Sequence, residues 1–263
     1  MSEWISVVDT SLSTPWVIFL LVASGFLAGI INTIAGTGSI LTYSVFILLG
    51  FPAGLANGTV RLGVVLQTLA SSWLFHRHGM LDWRFGLKIG LPLIAGTLLG
   101  ANLAVNIDEA FFERIVIGVM LFMLLTLFFK PERWVKGRVE MRSEKPGLVQ
   151  IVVYFLIGIY GGFIHIGVGI FLLSALVLIS GYDLVKANAL KVFVVFLYSP
   201  FALLVFMWNM EVEYILGTIS AVGNLAGGIL AGKMAVKKGA EFIRWFLVVV
   251  IILFSANLIG GYL

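Results

Sequence analysis

Long apolar runs separated by short polar loops cover most of this 263-residue chain. Several of the runs approach the roughly 20 residues that an α-helix needs to cross about 30 Å of hydrocarbon. With 60% hydrophobic and 11% charged residues, the chain is more apolar than a soluble domain. We therefore predict an all-α polytopic membrane protein. The runs lie at residues 16–31, 40–50, 57–75, 85–107, 110–129, 148–164, 170–181, 192–208, 214–231 and 245–263.

Two short segments carry the same residues at the same spacing, 131 residues apart. Each has a Gly-x-Gly break inside an apolar run, a glycine about one helix later, and an Ala-Asn pair at the start of the next run. Glycine-broken hydrophobic segments at corresponding positions of two halves are typical of a transporter's substrate site. The shared residues are Gly36, Gly38, Gly50, Ala56 and Asn57 in the first segment and Gly167, Gly169, Gly181, Ala187 and Asn188 in the second.

Basic and acidic residues fall in different loops. Loops 76–88, 130–145 and 233–244 are rich in Lys and Arg, whereas loops 105–111 and 209–213 carry acidic residues. Because short basic loops stay in the cytoplasm, we place the three basic loops inside and the two acidic loops outside. Corresponding runs of the two halves then cross the membrane in opposite directions.

The two broken apolar runs explain how the number of membrane crossings can agree with the loop charges. If residues 16–50 and 148–181 are re-entrant hairpins, each entering and leaving on its own side, the crossings agree with the loop charges. The N-terminus, with Glu3 and Asp9, then lies outside. We predict two inverted-topology repeats, each a broken re-entrant helical hairpin plus three transmembrane helices, related by a pseudo-two-fold axis in the membrane plane. The first repeat covers residues 1–130, a cytoplasmic linker residues 131–147, and the second repeat residues 148–263.

A weaker repeat closes each half. Residues 96–101 and 223–228 both contain glycines four apart. Small residues at this spacing let helices approach closely in lipid, so we predict packing for both segments.

The sequence lacks the chemical groups of several functional classes. It has no cysteine, and no phosphate-binding Gly-x-x-x-x-Gly-Lys-Ser/Thr loop, catalytic dyad or cofactor motif appears. We therefore predict no enzyme, no cofactor, no metal site and no nucleic-acid partner. Glu113 is the one acidic residue within a run and lies near its outer end, so mid-membrane carboxylates for proton coupling are absent. Anion export needs no coupling ion, since each negative charge leaving a negative interior gains roughly 2.3 kcal/mol per 100 mV.

The first break is polar and glycine-rich in the middle of an apolar run. Irregular backbone is not tolerated against lipid, so the break lines a cavity or is buried in protein. A helix that restarts near Ser39 presents free N–H groups and a positive dipole end to an anion. The alternative is a tight hairpin that only packs helix on helix. The candidate ligands in the two breaks are Asn32, Gly36, Thr37, Gly38, Ser39, Gly167 and Gly169.

Polar residues also follow each break. Asn57 and Asn188 open the next runs, where an amide either binds an anion or caps a helix. Arg61 and Lys191 come about one turn later. An ionisable group within a span is a functional candidate because its burial is expensive, although a cation near the start of a span can instead snorkel to the interface.

Two further residues complete the candidate site. Thr59 lies two residues after Asn57, in the first half only. His165 lies two residues before the second break glycine, Gly167. It could donate to substrate or gate protons, while a neutral buried histidine satisfied by hydrogen bonds is the ordinary alternative.

These motifs resemble the TauE/SafE family of sulfite and organosulfonate exporters, also called the four-toluene-sulfonate uptake permease family. The resemblance covers nearly the whole chain and rests on residues 25–39, 50–52 and 56–59 in the first half and 166–169 and 187–191 in the second. It implies transport of sulfite, thiosulfate, sulfoacetate or related anions across the bacterial inner membrane. Some glycines usual at the breaks are replaced here, by Thr37, Ser39, Val168 and Ile170.

We therefore predict an exporter of small sulfur-containing anions that works by alternating access between the repeats, with the site between the two glycine breaks. A passive anion-selective channel and an uptake permease for a related oxyanion remain alternatives. The expected partners are the anion and the lipid bilayer, and a homodimer is left open.

Overall fold

The computed structural model describes residues 14–116, 118 and 146–260. The N-terminal Glu3 and Asp9 and nearly all of the predicted linker lie outside the described residues. Every regular element within the described residues is helical, which confirms the predicted all-α fold.

The first half of the chain forms five helices. They are α1 (Thr14–Ile34), α2 (Ser39–Leu48), α3 (Ala53–Arg77), α4 (Trp83–Asn106) and α5, which is described over residues 109–116. The second half forms α6 (Leu148–Phe163), α7 (Val168–Ser174, continued by a π-helical stretch at Ala175–Ile179), α8 (Leu184–Trp208) and α9 (Tyr214–Gly260). At Gly239 the backbone of α9 leaves helical geometry, with φ of 68°, so α9 is two helices joined there.

Within the part of the chain that the structure describes, four helices are long and apolar enough to cross a membrane. The two short helices α2 and α7 follow the predicted breaks, and each occupies the same place in its half. The chain is thus a multi-pass membrane protein with one shortened helix per half. The four long segments are Pro15–Ile34, Trp83–Asn106, Leu184–Trp208 and Tyr214–Gly239.

The sequence duplication is also a duplication of backbone conformation. Helices α3 and α8 both contain 25 residues and begin 131 residues apart, and α4 and α9 begin at the same separation. Three pairs of residues with positive φ share this spacing, and they end the helices that precede them. The pairs are Gly36 and Gly167, Gly50 and Gly181, and Gly79 and Met210.

The helices of the two halves pack against each other. Helix α1 lies along α9, while its counterpart α6 lies along α4. A Cβ on Gly96 would overlap the carbonyl oxygen of Phe155 on α6, and one on Gly223 would overlap that of Val22 on α1. Both small-residue segments therefore mediate close helix packing, as predicted. Between these pairs, α3 and α8 contact each other and carry most of the buried polar side chains described below.

Candidate functional site

The two glycine breaks meet at the centre of the molecule. A Cβ on Gly36 would overlap the Cα of Gly169, and a Cβ on Gly169 would overlap the Cα of Gly36. Only glycine permits this approach, and Gly36 also has a φ of 82°, which disfavours any side chain. The turn after α1 is therefore fixed against the beginning of α7.

Arg61 caps the end of α6. Its Nη1 donates to the carbonyl oxygen of Gly161 at 3.0 Å and its Nη2 to that of Gly162 at 2.6 Å. Asn57 Nδ2 donates to the next carbonyl, that of Phe163, at 2.9 Å. The last carbonyls of a helix have no partner within the helix and form the negative end of its dipole, so a cation and an amide stabilise them.

Lys191 caps the end of α1 in the same way. Its Nζ donates to the carbonyl oxygens of Asn32 and Thr33, both at 3.1 Å, and of Ile34 at 3.3 Å. The fourth acceptor is Asn188 Oδ1, at 2.7 Å. The capping is reciprocal. Arg61 on α3 of the first half caps the C-terminus of α6, and Lys191 on α8 of the second half caps the C-terminus of α1.

Burial excludes one of the two interpretations of these cations, whereas their role in anion binding stays a prediction. The side chains of Arg61 and Lys191 are 0% and 1% exposed, so neither snorkels to a membrane interface. The guanidinium of Arg61 also lies over the ring of Phe206, 4.6 Å from its centroid, which is a favourable cation–π geometry.

The site carries uncompensated positive charge. Among the buried side chains of the described residues, Arg61 and Lys191 are joined by no Asp or Glu. Their hydrogen-bond acceptors are neutral carbonyl and amide oxygens, which reduce the cost of burial without removing the charge.

Carboxylates gather elsewhere, at the beginning of α3. Glu109 Oε1 accepts a hydrogen bond from the Gly54 N–H at 3.1 Å, and the Glu211 carboxylate lies nearby. Partial burial and the neighbouring Glu109 raise the pKa of Glu211. In the described part of the chain, no three His, Asp or Glu side chains are grouped as a metal site requires.

A small cavity lies beside the breaks. Its lining includes Asn32, Gln67, His165 and Lys191 together with Gly36 and Gly169. Its free space is enough for about one water molecule. Five of the predicted residues thus line one cavity, which is too small in this conformation for a polyatomic anion.

Several buried polar atoms have no partner in the described structure. Arg61 Nε, Asn188 Nδ2 and the hydroxyl of Tyr198 are three of them, and His165 Nδ1 is unpaired as well. An unpaired buried donor is costly, by about 1–3 kcal/mol. Gln67 Oε1 can only accept, whereas the unpaired hydroxyls can donate or accept, so Arg61 Nε and Asn188 Nδ2 are the atoms of this set that require an acceptor.

The N-terminus of α2 already has partners. The backbone N–H of Ser39 donates to Asn32 Oδ1 at 3.1 Å, and Asn32 Nδ2 donates to Ser39 Oγ at 2.9 Å. The amide of Ile40 donates to the carbonyl oxygen of Thr37. An anion at the end of α2 would therefore displace these bonds, and anion binding by the break amides stays a prediction.

The remaining predicted residues have local roles in this conformation. Thr59 Oγ1 accepts from the backbone N–H of Glu213 at 2.9 Å, so Thr59 caps the start of α9 rather than lining the cavity. A Cβ on Gly38 would overlap the carbonyl oxygen of Ala28, so Gly38 packs α2 onto α1. Gly167, with φ of 75°, forms the turn before α7, and Thr37 Oγ1 is buried without a partner.

Sequence reasoning missed a pair of polar side chains on α3 and α8. Gln67 lines the cavity and donates to Thr33 Oγ1 at 2.9 Å, and the residue 131 positions later is the buried Tyr198. Each is followed by a hydroxyl residue, Thr68 and Ser199. The signal was present, since polar pairs at the repeat spacing in the middle of two apolar helices are unusual.

The long apolar helices, the buried break and the helix pairs exchanged between halves define a polytopic membrane protein of the transporter class. Residues 21–258 match the family described as sulfite exporter TauE/SafE. The chain therefore belongs to the TauE/SafE family, which confirms the resemblance seen in its motifs.

The relatives of this chain carry transporter names. A probable membrane transporter protein of Sinorhizobium sp. is 28% identical, over 92% of this chain and 92% of its own length. One of Haemophilus influenzae is 27% identical, over 91% and 93%, and one of Escherichia coli is 24% identical, over 94% and 91%. No solved structure matches the chain. The protein is thus a membrane transporter of the TauE/SafE type and not an enzyme.

Proposed function

We propose that the protein exports small sulfur-containing anions such as sulfite, thiosulfate or organosulfonates across the bacterial inner membrane. The anion binds beside the two glycine breaks, between Lys191 and Arg61, with Asn188, His165 and Asn32 as further polar contacts. The two halves have opposite orientations in the membrane, and the site opens to each side in turn.

One observation carries this proposal. Arg61 is buried against the end of α6 and Lys191 against the end of α1, and no buried carboxylate of the described residues balances these two cations. Since an unbalanced buried charge is costly, a mobile counter-charge is the natural ligand of such a site. The unpaired donors of Arg61, Asn188 and Tyr198 favour a ligand rich in acceptor atoms, as an oxyanion is.

The size of the cavity supports a transporter rather than an open pore. Space for about one water molecule excludes passage of a polyatomic anion in this conformation. Entry of the anion requires the ends of α1 and α6 to separate from α8 and α3. Because Lys191 and Arg61 connect these elements, anion binding and helix movement are coupled.

Counterflow in liposomes tests the proposal. Purified protein is reconstituted in vesicles loaded with unlabelled sulfite, thiosulfate, sulfate, sulfoacetate or chloride, and uptake of labelled sulfite or thiosulfate is followed. We expect saturable counterflow with the sulfur anions and little with chloride. Single-channel currents without counterflow would support a passive channel instead, and the absence of any anion flux would contradict the proposed function.

A further inference from the structure

We infer that the ammonium group of Lys191 occupies a monovalent-cation site that the chain itself builds, so that this lysine takes the place of a coupling ion. The oxygen cage consists of the carbonyl oxygens of Asn32, Thr33 and Ile34 and the Oδ1 atom of Asn188. The part of this inference that concerns coupling rests on the proposed transport function, whereas the existence of the cage does not.

The geometry of the cage is that of a cation site. Four oxygens lie 2.7–3.3 Å from one nitrogen, and three of them are consecutive carbonyls at the end of α1. An ammonium group has three protons, so four acceptors exceed what directed hydrogen bonds can use. The oxygens therefore surround a charge, as unwound carbonyls and half-helix ends surround Na⁺ in transporters with broken helices.

Without a cation, nothing among the described residues around the cage would compensate the partial negative charge of its oxygens. The end of α1 carries the negative pole of the helix dipole. Asn32, Thr33 and Ile34 are all buried, so bulk water does not solvate their carbonyls. If the ammonium is removed, the four oxygens remain grouped around an empty space. A small cation is the ligand that this arrangement favours, and sodium is the abundant one of suitable size.

The corresponding cation of the other half provides a matched control. Arg61 bonds two carbonyl oxygens, those of Gly161 and Gly162, while the next one is bonded to Asn57. The ring of Phe206 covers its guanidinium. Removal of Arg61 therefore leaves two oxygens beside an aromatic ring, which is too few for a sodium site.

The consequence for transport is that sodium should have no role in the natural protein. The lysine supplies, permanently attached, the positive charge that a coupling ion would bring to the substrate site. Transport of the anion by the unmodified protein should therefore proceed equally in sodium and choline salts.

Thermal unfolding of the purified Lys191→Ala variant in detergent, in sodium chloride and in choline chloride at equal concentration, tests the cage without any transport assay. We expect the melting temperature of Lys191→Ala to rise saturably with sodium by several degrees. The unmodified protein and Arg61→Ala should unfold at the same temperature in both salts. A folded Lys191→Ala whose melting temperature does not depend on sodium would overturn the inference.

A second variant keeps the test decisive if Lys191→Ala folds poorly. Lys191→Ser, whose hydroxyl oxygen can join the cage, is prepared in parallel with and without sodium. Recovery of folded protein only with sodium supports the inference, and failure of both variants to fold in either salt overturns it. These unfolding measurements need no anion. A protein that transports none of the tested anions would therefore contradict the proposed function, while the sodium dependence of Lys191→Ala would still test the cage.

Discussion

At the scale of single residues, Arg61 and Lys191 have two roles. Each satisfies the last carbonyls of a helix from the other half, and each brings a positive charge to the centre of the molecule. Hydrogen bonds to charged groups contribute about 1.5–3 kcal/mol each, which is enough to hold a broken helix end in place. In the proposed function, the same cations that stabilise the fold also attract the substrate anion.

Asn188→Asp separates these two roles. The new carboxylate would lie where Asn188 Oδ1 accepts from Lys191 at 2.7 Å, so it neutralises the charge while keeping the contact. Because the change also removes the Nδ2 donor of a proposed anion contact, we expect sulfite affinity to fall at least tenfold, while the melting temperature stays unchanged or rises. Isothermal titration and differential scanning fluorimetry measure the two effects.

The control for this variant adds the same charge elsewhere. Asn102 is exposed on α4 and donates only to its own helix, at Leu98. Asn102→Asp should leave both affinity and melting temperature unchanged. Unaltered sulfite affinity in Asn188→Asp would show that the charge of Lys191 does not face the anion.

The sequence identified the buried cations but not their partners. Arg61 and Lys191 were predictable because a charge inside an apolar run is rare. Apart from Asn188 Oδ1, their acceptors lie 100 to 159 residues away and are backbone atoms, which carry no residue-specific signal. Thr59 illustrates the converse, since its position beside Asn57 suggested a ligand, whereas the fold directs it to the start of α9.

At the scale of elements, the broken helices α1 and α6 organise the site. Each ends at the middle of the molecule because a glycine with positive φ follows, and each is continued by a short helix. The contact between Gly36 and Gly169 holds the turn after α1 against the beginning of α7. The breaks and most helix bounds agree with the apolar runs and glycines, but α8 begins at Leu184 although the apolar run covers residues 192–208.

Gly169→Ala tests the contact between the breaks. The added methyl group would overlap Gly36, and overpacking of this kind costs about 1–3 kcal/mol. We expect a lower melting temperature and a loss of anion counterflow, although the protein still inserts in the membrane. The larger changes Gly169→Val and Gly38→Val should abolish counterflow.

The matched control is another glycine beside a helix. A Cβ on Gly147, which precedes α6, has no atom within 4 Å. Gly147→Ala should behave like the unmodified protein in both assays. Normal counterflow by Gly169→Ala would indicate that the two breaks need not touch during transport.

At the scale of the whole molecule, the first helix of each half packs against a helix of the other half. Helix α1 packs on α9 and α6 packs on α4, so neither half buries its broken helix alone. The duplication could be predicted from the sequence, whereas this exchange could not, because loop charges and periodicity do not specify which apolar faces meet. The exchange favours movement of the halves around a shared centre rather than separation of two independent bundles.

Opposite orientation of the halves is tested by accessibility of equivalent positions. His78 and Asn209 are exposed, end α3 and α8, and lie 131 residues apart. Since the chain has no cysteine, His78→Cys and Asn209→Cys each provide a single thiol. A membrane-impermeant maleimide applied to intact cells should label position 209 and not position 78, which should react only after the cells are opened.

The same labelling experiment is applied to thiols placed at the two ends of the first repeat. A thiol placed in the linker 131–147 should be labelled only from the cytoplasm, and one near the N-terminus from outside. Labelling of positions 78 and 209 from the same side would contradict the inverted topology.

Titration of the purified protein with sulfite and thiosulfate tests most directly the claim that two buried cations bind the anion. The unmodified protein is compared with Arg61→Gln, Lys191→Gln and the double variant, and with Lys186→Gln as a control, since Lys186 is exposed and paired with Asp183. If each contact contributes about 1.5–3 kcal/mol of binding free energy, each single variant should bind the anions roughly ten- to hundred-fold more weakly. The double variant should show no measurable binding. Lys186→Gln should bind as the unmodified protein does. If both single variants are folded and bind the anions with unchanged affinity, the two cations only cap helices and the account is contradicted.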